Sequence, residues 1–262
     1  MILASLQNPR VKAAVRLRER RHRDAEGLML VEGHDELTLG IEAGLAPVTL
    51  FVTAAHIETP LTRQCASLGA DVFETTKDVF AKLAYREHPD GWLAVARTPE
   101  TGLERLQLPA EALVLVIDGV EKPGNLGAML RTADAAGVHG VILSDAGTDP
   151  FNPNVVRASK GTVFSVPLAV AGPDEGIGWL HERGVTVATA TPESRVVYTK
   201  ASLPGSLALV VGAEDAGVST AWRGAAAFSV KIPMAGRVNS LNVATAAALL
   251  LYEVVRQRAQ KG

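Results

Sequence analysis

A chain of 262 residues that is 47% hydrophobic has ample apolar material for one large or two small cores. Aromatic residues make up only 5%, so alanine, valine and leucine must fill that interior. The net charge of −2 gives no global sign of a nucleic-acid partner, yet seven basic residues fall between Arg10 and Arg23 against Glu19 alone. A single cysteine, Cys65, excludes an internal disulfide and fits a reducing compartment. The opening MILASLQNPR lacks the apolar region and cleavage site of a secretory signal. No apolar run reaches the ~18 residues that span a membrane. The expectation is a soluble, cytoplasmic protein.

Residues 5 to 26 place basic and apolar positions at helical spacing, with Asn8 as N-cap and Pro9 in the first turn. Arg16, Arg20 and Arg23 fall at i, i+4 and i+7, on one helix face. A solvated charged face is one reading. Without acidic partners at i+4, the stripe also suits a phosphate backbone, which positions a nucleic acid rather than reads its sequence. An α/β alternation follows: LMLV, a helix over Asp35–Ala43, VTLFV, a helix over Leu61–Leu68, ADVFE, a helix over Thr76–Ala84, and WLAVA. That alternation predicts a mainly parallel layered sheet. Glu32, His34, Asp35 and Glu36 cluster, but acidic groups at a helix start are accounted for by the helix dipole. The six histidines are scattered, and no metal is expected. Residues 98 to 112, with two prolines, a glycine and weak periodicity, read as a linker between units at 1–97 and 113–262.

The second unit opens with the strand ALVLVID, the loop GVEKPGNLG and a helix to Ala136. HGVILSD is a strand, and a short helix then carries Arg157 and Lys160. An apolar, β-branched run spans Val163 to Val170, and VTVATA is a further strand. Leu207 to Val211 is an apolar run ending in Gly212, Phe228 to Ile232 breaks at Pro233, and Asn242 opens an Ala/Leu-rich helix. About six strands alternating with helices predict a doubly wound α/β sheet, with ligands at the carboxyl ends of its strands. A dinucleotide enzyme using NAD competes for this pattern, with Asp145 as the acidic residue after strand, loop and helix. Gly119, Gly124 and Gly127 do not have its G-x-G-x-x-G spacing, and it leaves the carboxyl-terminal stretch without a role.

Three stretches in order carry a more specific signal: DGVEKPGNLGAMLRTADAAGV, GAEDAG and IPMAGRVNSLNVA. They resemble the three motifs of the SpoU/TrmH class of RNA 2′-O-ribose methyltransferases, and the likeness covers nearly the whole chain. The first unit, with LQNPRVK and LMLVEG, is similar to the small ribosomal-protein-like α/β domain that binds substrate RNA ahead of the SpoU domain. The resemblance implies S-adenosylmethionine as cofactor, a trefoil knot through which the last helix is tucked, and a homodimer whose sites form at the interface. It implies Arg131, Asn125, Glu214, Ser240 and Asn242 as catalytic residues. A guanidinium holds its proton tightly, so stabilising the ribose alkoxide as a cation demands less of Arg131 than acting as a literal base. Glu214 is expected to support its loop or to pair with Arg131. Gly212, Ile232, Leu241, Thr189 and Met234 are the implied cofactor residues, and Arg10, Lys12, Arg16, Arg20, Arg157 and Lys160 the RNA contacts. The RNA expected is ribosomal, of the large subunit, with an antibiotic-resistance methylase looking much the same. Transfer RNA is the alternative. Ala244, Lys160 and Asp90 depart from the family pattern, which often has serine, a small residue and glutamine there.

Overall fold

A computed structural model describes residues 1–203 and 205–260. The chain divides into two compact units. The first begins with β1 (Ile2–Leu3), α1 (Pro9–Arg16), α2 (Arg20–Glu26), β2 (Leu28–Glu32), α3 (His34–Glu42) and β3 (Pro47–Thr53). It continues with α4 (Pro60–Ser67), β4 (Asp71–Thr75), α5 (Lys77–Leu83) and β5 (Trp92–Arg97). The second runs β6 (Leu113–Asp118), α6 (Pro123–Ala135) and β7 (Gly140–Ser144). Next come α7 (Pro153–Ala158) and α8 (Thr162–Ser165), then β8 (Leu168–Ala171), α9 (Pro173–Glu182) and β9 (Thr186–Ala190). The chain closes with β10 (Leu207–Gly212), α10 (Thr220–Ala225), β11 (Phe228–Val230) and α11 (Val243–Ala259). Among the described residues, no helix is long and apolar enough to cross a membrane.

In the first unit the sheet order is β1-β4-β3-β5-β2. β3 runs parallel to β4, but β5 is antiparallel to both β3 and β2. The sheet is therefore mixed, where strand–helix alternation alone suggested a mainly parallel one. No helix separates α5 from β5, only the loop that turns the chain round.

The basic stripe is not one helix face. Asn8 does cap α1, its Oδ1 accepting from Arg10 N at 2.9 Å. The helix then stops, because Leu17 is drawn into the core at 2% exposure while Leu17, Arg18 and Glu19 tighten into i→i+3 bonds. Arg18 instead caps α5, donating to the carbonyls of Lys82, Leu83 and Ala84. Arg23 is 3% exposed, with its Nε donating to Asp149 at 2.9 Å and its Nη1 to the carbonyls of Leu17 and Arg18. Arg20 has an i+4 partner after all, Asp24 at 3.4 Å. Arg10, Lys12, Arg16, Arg20 and Arg21 stay exposed.

The first unit is discontinuous in sequence, comprising Met1–Glu100 and Asp149–Ser165. The second segment lies within the stretch that the motif order groups with the carboxyl-terminal half. Physically it is core: α7 packs on β2 and α8 on α3, and Val155 and Val156 are fully buried. A Cβ on Gly161 would lie 2.9 Å from Glu36 Cα, so this turn sits hard against α3.

The second unit comprises Thr101–Thr148 and Val166–Gly262, although the last two residues lie outside those described. Its six strands are all parallel, in the order β11-β9-β10-β6-β7-β8. This bears out the doubly wound α/β reading. From β6 the chain winds outward through β7 and β8, then returns to lay β9, β10 and β11 on the other side. Leu103 and Leu106, from the stretch expected as a linker, are buried in this unit's core. Trp222 is fully buried and donates from Nε1 to Ser144 Oγ at 2.8 Å.

Because Arg23 and Asp149 form a buried pair, removing one partner leaves a charge without compensation. Asp149→Ala should destabilise the first unit by about 3–5 kcal/mol, read as a fall in its urea midpoint. A variant with the wild-type midpoint would show that the pair contributes nothing.

Candidate active site

The site begins where β6 and β10 lie side by side. Their register pairs Gly212 with Asp118, the last residues of each strand, at the point where strand order reverses. In open α/β sheets such switch points hold ligands.

Gly212 is required by space. A Cβ there would collide with Gly217 C and Val218 N, both backbone atoms that cannot move aside independently. The loop after β10 folds back on itself, with Gly217 N donating to Ala213 O at 2.9 Å and Gly217 at φ 67°. This leaves a cleft between the ends of β9, β10 and β11. Its walls include Ala190, Thr191, Val211, Gly212, Ile232, Met234, Ser240, Leu241 and Ala246. The structure thus brings Gly212, Ile232, Met234, Leu241 and Ser240 together. It leaves Thr189 out of the lining, on β9 at 1% exposure.

A second cleft adjoins the first across the Ala213–Gly217 loop. It is acidic, lined by Asp118, Glu121, Asp145, Glu214 and Asp215, together with Lys122 and Asn125. Asp118, only 3% exposed, accepts from Ser219 N at 2.7 Å and so holds the far end of the loop to β6.

Glu214 stands at the boundary and ties the three motifs together. Its Oε1 accepts from Asn125 Nδ2 at 2.8 Å and from Asn242 Nδ2 at 3.0 Å. The same Asn242 Nδ2 lies 3.0 Å from Asn125 Oδ1. Asn242 Oδ1 caps α11, accepting from Ala244 N at 3.0 Å and Thr245 N at 3.4 Å. The other Glu214 oxygen, Oε2, accepts from Lys122 Nζ. The Lys122 ammonium, followed by the Asn125 amide, holds the Glu214 carboxyl below the usual carboxylate range. Reciprocally, Glu214 raises the pKa of Lys122.

Glu214 therefore pairs with Lys122, and not with Arg131. Arg131 is exposed on α6, lines neither cleft, and its side chain makes no hydrogen bond or ion pair among the described residues. Sequence reasoning missed both Lys122 and Asp118. Lys122 precedes Pro123 at the start of α6, a position that reads as a helix boundary, and its partner is 92 residues away. Arg157 and Lys160 lie in the first unit, both exposed, and Lys160 adopts a left-handed φ of 51° just beyond α7.

Comparison with known proteins matches residues 112–252 to the SpoU rRNA methylase family and residues 8–94 to the MRM3-like substrate binding domain. A 23S rRNA (uridine(2479)-2′-O)-methyltransferase of Streptomyces viridochromogenes is 33% identical over 251 residues, covering 92% of this chain and 87% of that protein. The 23S rRNA (guanosine(2553)-2′-O)-methyltransferase RlmP of Bacillus subtilis is 31% identical over 253 residues, covering 96% and 98%. The crystal structure of an AdoMet-bound rRNA methyltransferase from Sinorhizobium meliloti superposes with a TM-score of 0.90 at 31% identity, covering 98% of each chain. The chain belongs to the SpoU rRNA methylase family, as an RNA 2′-O-ribose methyltransferase that uses S-adenosylmethionine.

The first cleft fits that cofactor. It offers apolar walls and main-chain groups suited to an adenosyl moiety, and the ligand has no phosphate to demand a basic residue. Gly212→Ala should weaken S-adenosylmethionine binding at least tenfold by calorimetry while leaving the circular dichroism of the sheet intact. Unchanged affinity would remove the cleft as the cofactor site.

Proposed function

We propose that this chain methylates a ribose 2′-hydroxyl of large-subunit ribosomal RNA, with the first unit holding the RNA and the second performing the transfer. The observation that carries the reading is the pair of adjoining clefts at the strand switch point, joined by Glu214, Asn125 and Asn242 from three separate motifs. Two relatives of full-length coverage bear the names of 23S rRNA enzymes, which favours that substrate over transfer RNA.

Bound in the first cleft, S-adenosylmethionine supplies an electrophilic methyl group. The chain's own residues must present the 2′-oxygen in line and stabilise its charge as the proton leaves. Asn125, held between Glu214 and Asn242, is oriented to position the ribose, and Ser240 and Leu241 shape the cleft beside it. Arg131 is assigned the alkoxide charge. Its exposure on α6 supports a site completed by a second copy. α11 packs on α6 and keeps Leu249 39% and Tyr252 50% exposed, an apolar surface suited to a homodimer. The trefoil knot that family resemblance implies, with α11 tucked through a loop, is part of the same proposal.

Mixing two inactive variants tests the shared site. Arg131→Ala and Gly212→Ala should each abolish methyl transfer alone. Co-refolded, they should regain activity, because the intact cleft of one copy meets the intact Arg131 of the other. Activity of Arg131→Ala alone, or no recovery in verified mixed dimers, would refute an arginine supplied across the interface.

The exposed cations Arg10, Lys12, Arg16 and Arg20, with Arg157 and Lys160, are proposed to contact phosphates. Replacing Arg16 and Arg20 together with alanine should flatten the dependence of log K on log salt by roughly 0.7 to 0.9 per lost contact. Cofactor affinity should not change, and an unaltered slope would return these residues to the solvated surface.

A further inference from the structure

We infer that Lys122 is a positioning residue for methyl transfer, acting through Glu214 to fix the side-chain amides of Asn125 and Asn242. The inference rests on the proposed role of these residues at the transfer site. The role follows from the geometry around Glu214.

Glu214 has two oxygens and divides them by partner. Oε1 accepts both amides, Asn125 Nδ2 at 2.8 Å and Asn242 Nδ2 at 3.0 Å, and Oε2 accepts Lys122 Nζ. An Asn side chain can be turned over with little change in shape, exchanging its donor and acceptor ends. Here the carboxylate admits only donors, so both NH₂ groups face Glu214, and Asn125 Oδ1 is left to receive Asn242 Nδ2. Lys122 closes the remaining side of the carboxylate and stops it swinging out into solvent. The lysine starts from the residue before α6, whose own carbonyl accepts from Asn125 N and Leu126 N. The anchor and the amide it orients thus sit on the same helical turn.

Charge sharpens the requirement. Around Glu214 stand Lys122 and Asn125 from the α6 end, Asn242 from α11 and Asp215 next in sequence, while Asp118, Glu121 and Asp145 line the same cleft. Lys122 is the one cation among the residues lining either cleft. Without it, Glu214 would face other carboxylates with only neutral donors of its own copy to oppose them, and it would take up a proton more readily. A protonated Glu214 presents a donor of its own and no longer selects one amide orientation.

Lys122→Ala should lower single-turnover kcat at least tenfold, with KM for RNA within about twofold of wild type and the salt slope unchanged. Because the Lys122 ammonium, bonded to Oε2, does most to hold the Glu214 carboxyl low, its loss should move the acid limb of the rate profile to higher pH. Lys122→Arg keeps a charged donor and should restore most of kcat. Lys122→Ala combined with Glu214→Gln should be no slower than Glu214→Gln alone, since both act through one carboxylate. A wild-type kcat in Lys122→Ala would overturn the inference. So would a loss confined to KM with a shallower salt slope, which would make Lys122 a phosphate contact.

A readout independent of turnover separates this from the functional reading. In ¹⁵N-resolved spectra the side-chain NH₂ signals of Asn125 and Asn242, assigned by Asn→Asp substitution, should both shift in Lys122→Ala. If the wild-type protein transferred no methyl group to RNA, the functional reading would fail while these signals still decided the role of Lys122. Unmoved signals would overturn it.

Discussion

The parallel pairing of β6 with β10 is the constraint on which the site depends. These strands are far apart in sequence, and their alignment sets Asp118 beside Gly212. From that edge one loop leads into α6 and the other turns back through Gly217. Both clefts exist only because the two loops diverge there. Asp118 and Gly212 are a pair of opposites: a buried carboxylate that grips backbone, and a glycine whose missing side chain makes the room. A sheet with β6 and β10 apart would keep every motif residue and have no site.

Chemistry is divided across the 213–217 loop. On one side the walls are apolar and use main-chain groups, which suits a ligand recognised by shape and by amide edges. On the other, carboxylates dominate. A polyanionic substrate is therefore not drawn in by the cleft itself. Cations elsewhere on the chain, among them the exposed arginines and lysines of the first unit, are the ones left to oppose its charge.

Much of this was legible in sequence where local signals sufficed. Asn8 and Asn242 announced their helices by capping chemistry, and the strand runs of the second unit announced a parallel sheet. Gly212, Ile232, Met234 and Leu241, implied by motif resemblance, do gather round one cleft. What could not be read was long-range. Strand order made the first sheet mixed, since alternation with helices says nothing of the β5 direction. The periodicity of Arg16, Arg20 and Arg23 survived on paper across a helix break that only the burial of Leu17 and Arg23 enforces. Lys122 and Glu214 meet because a fold brings them together, and nothing near either residue foretells it.

The discontinuity of the first unit bears on how the protein is made. Its sheet is complete once residue 97 has been synthesised, yet its cover of β2 and α3 waits for residues 149 to 165. At translation rates of 5–20 residues per second, that interval lasts about 3 to 13 s. Throughout it the seat of Val155 and Val156 is bare, and the guanidinium of Arg23 has no carboxylate. The nascent chain thus carries an open apolar face while β6 and β7 of the second sheet emerge behind it. Exchanging the first unit between relatives would meet the same geography: one splice near residue 100 moves a body with part of its core left behind, and a faithful graft needs three joins.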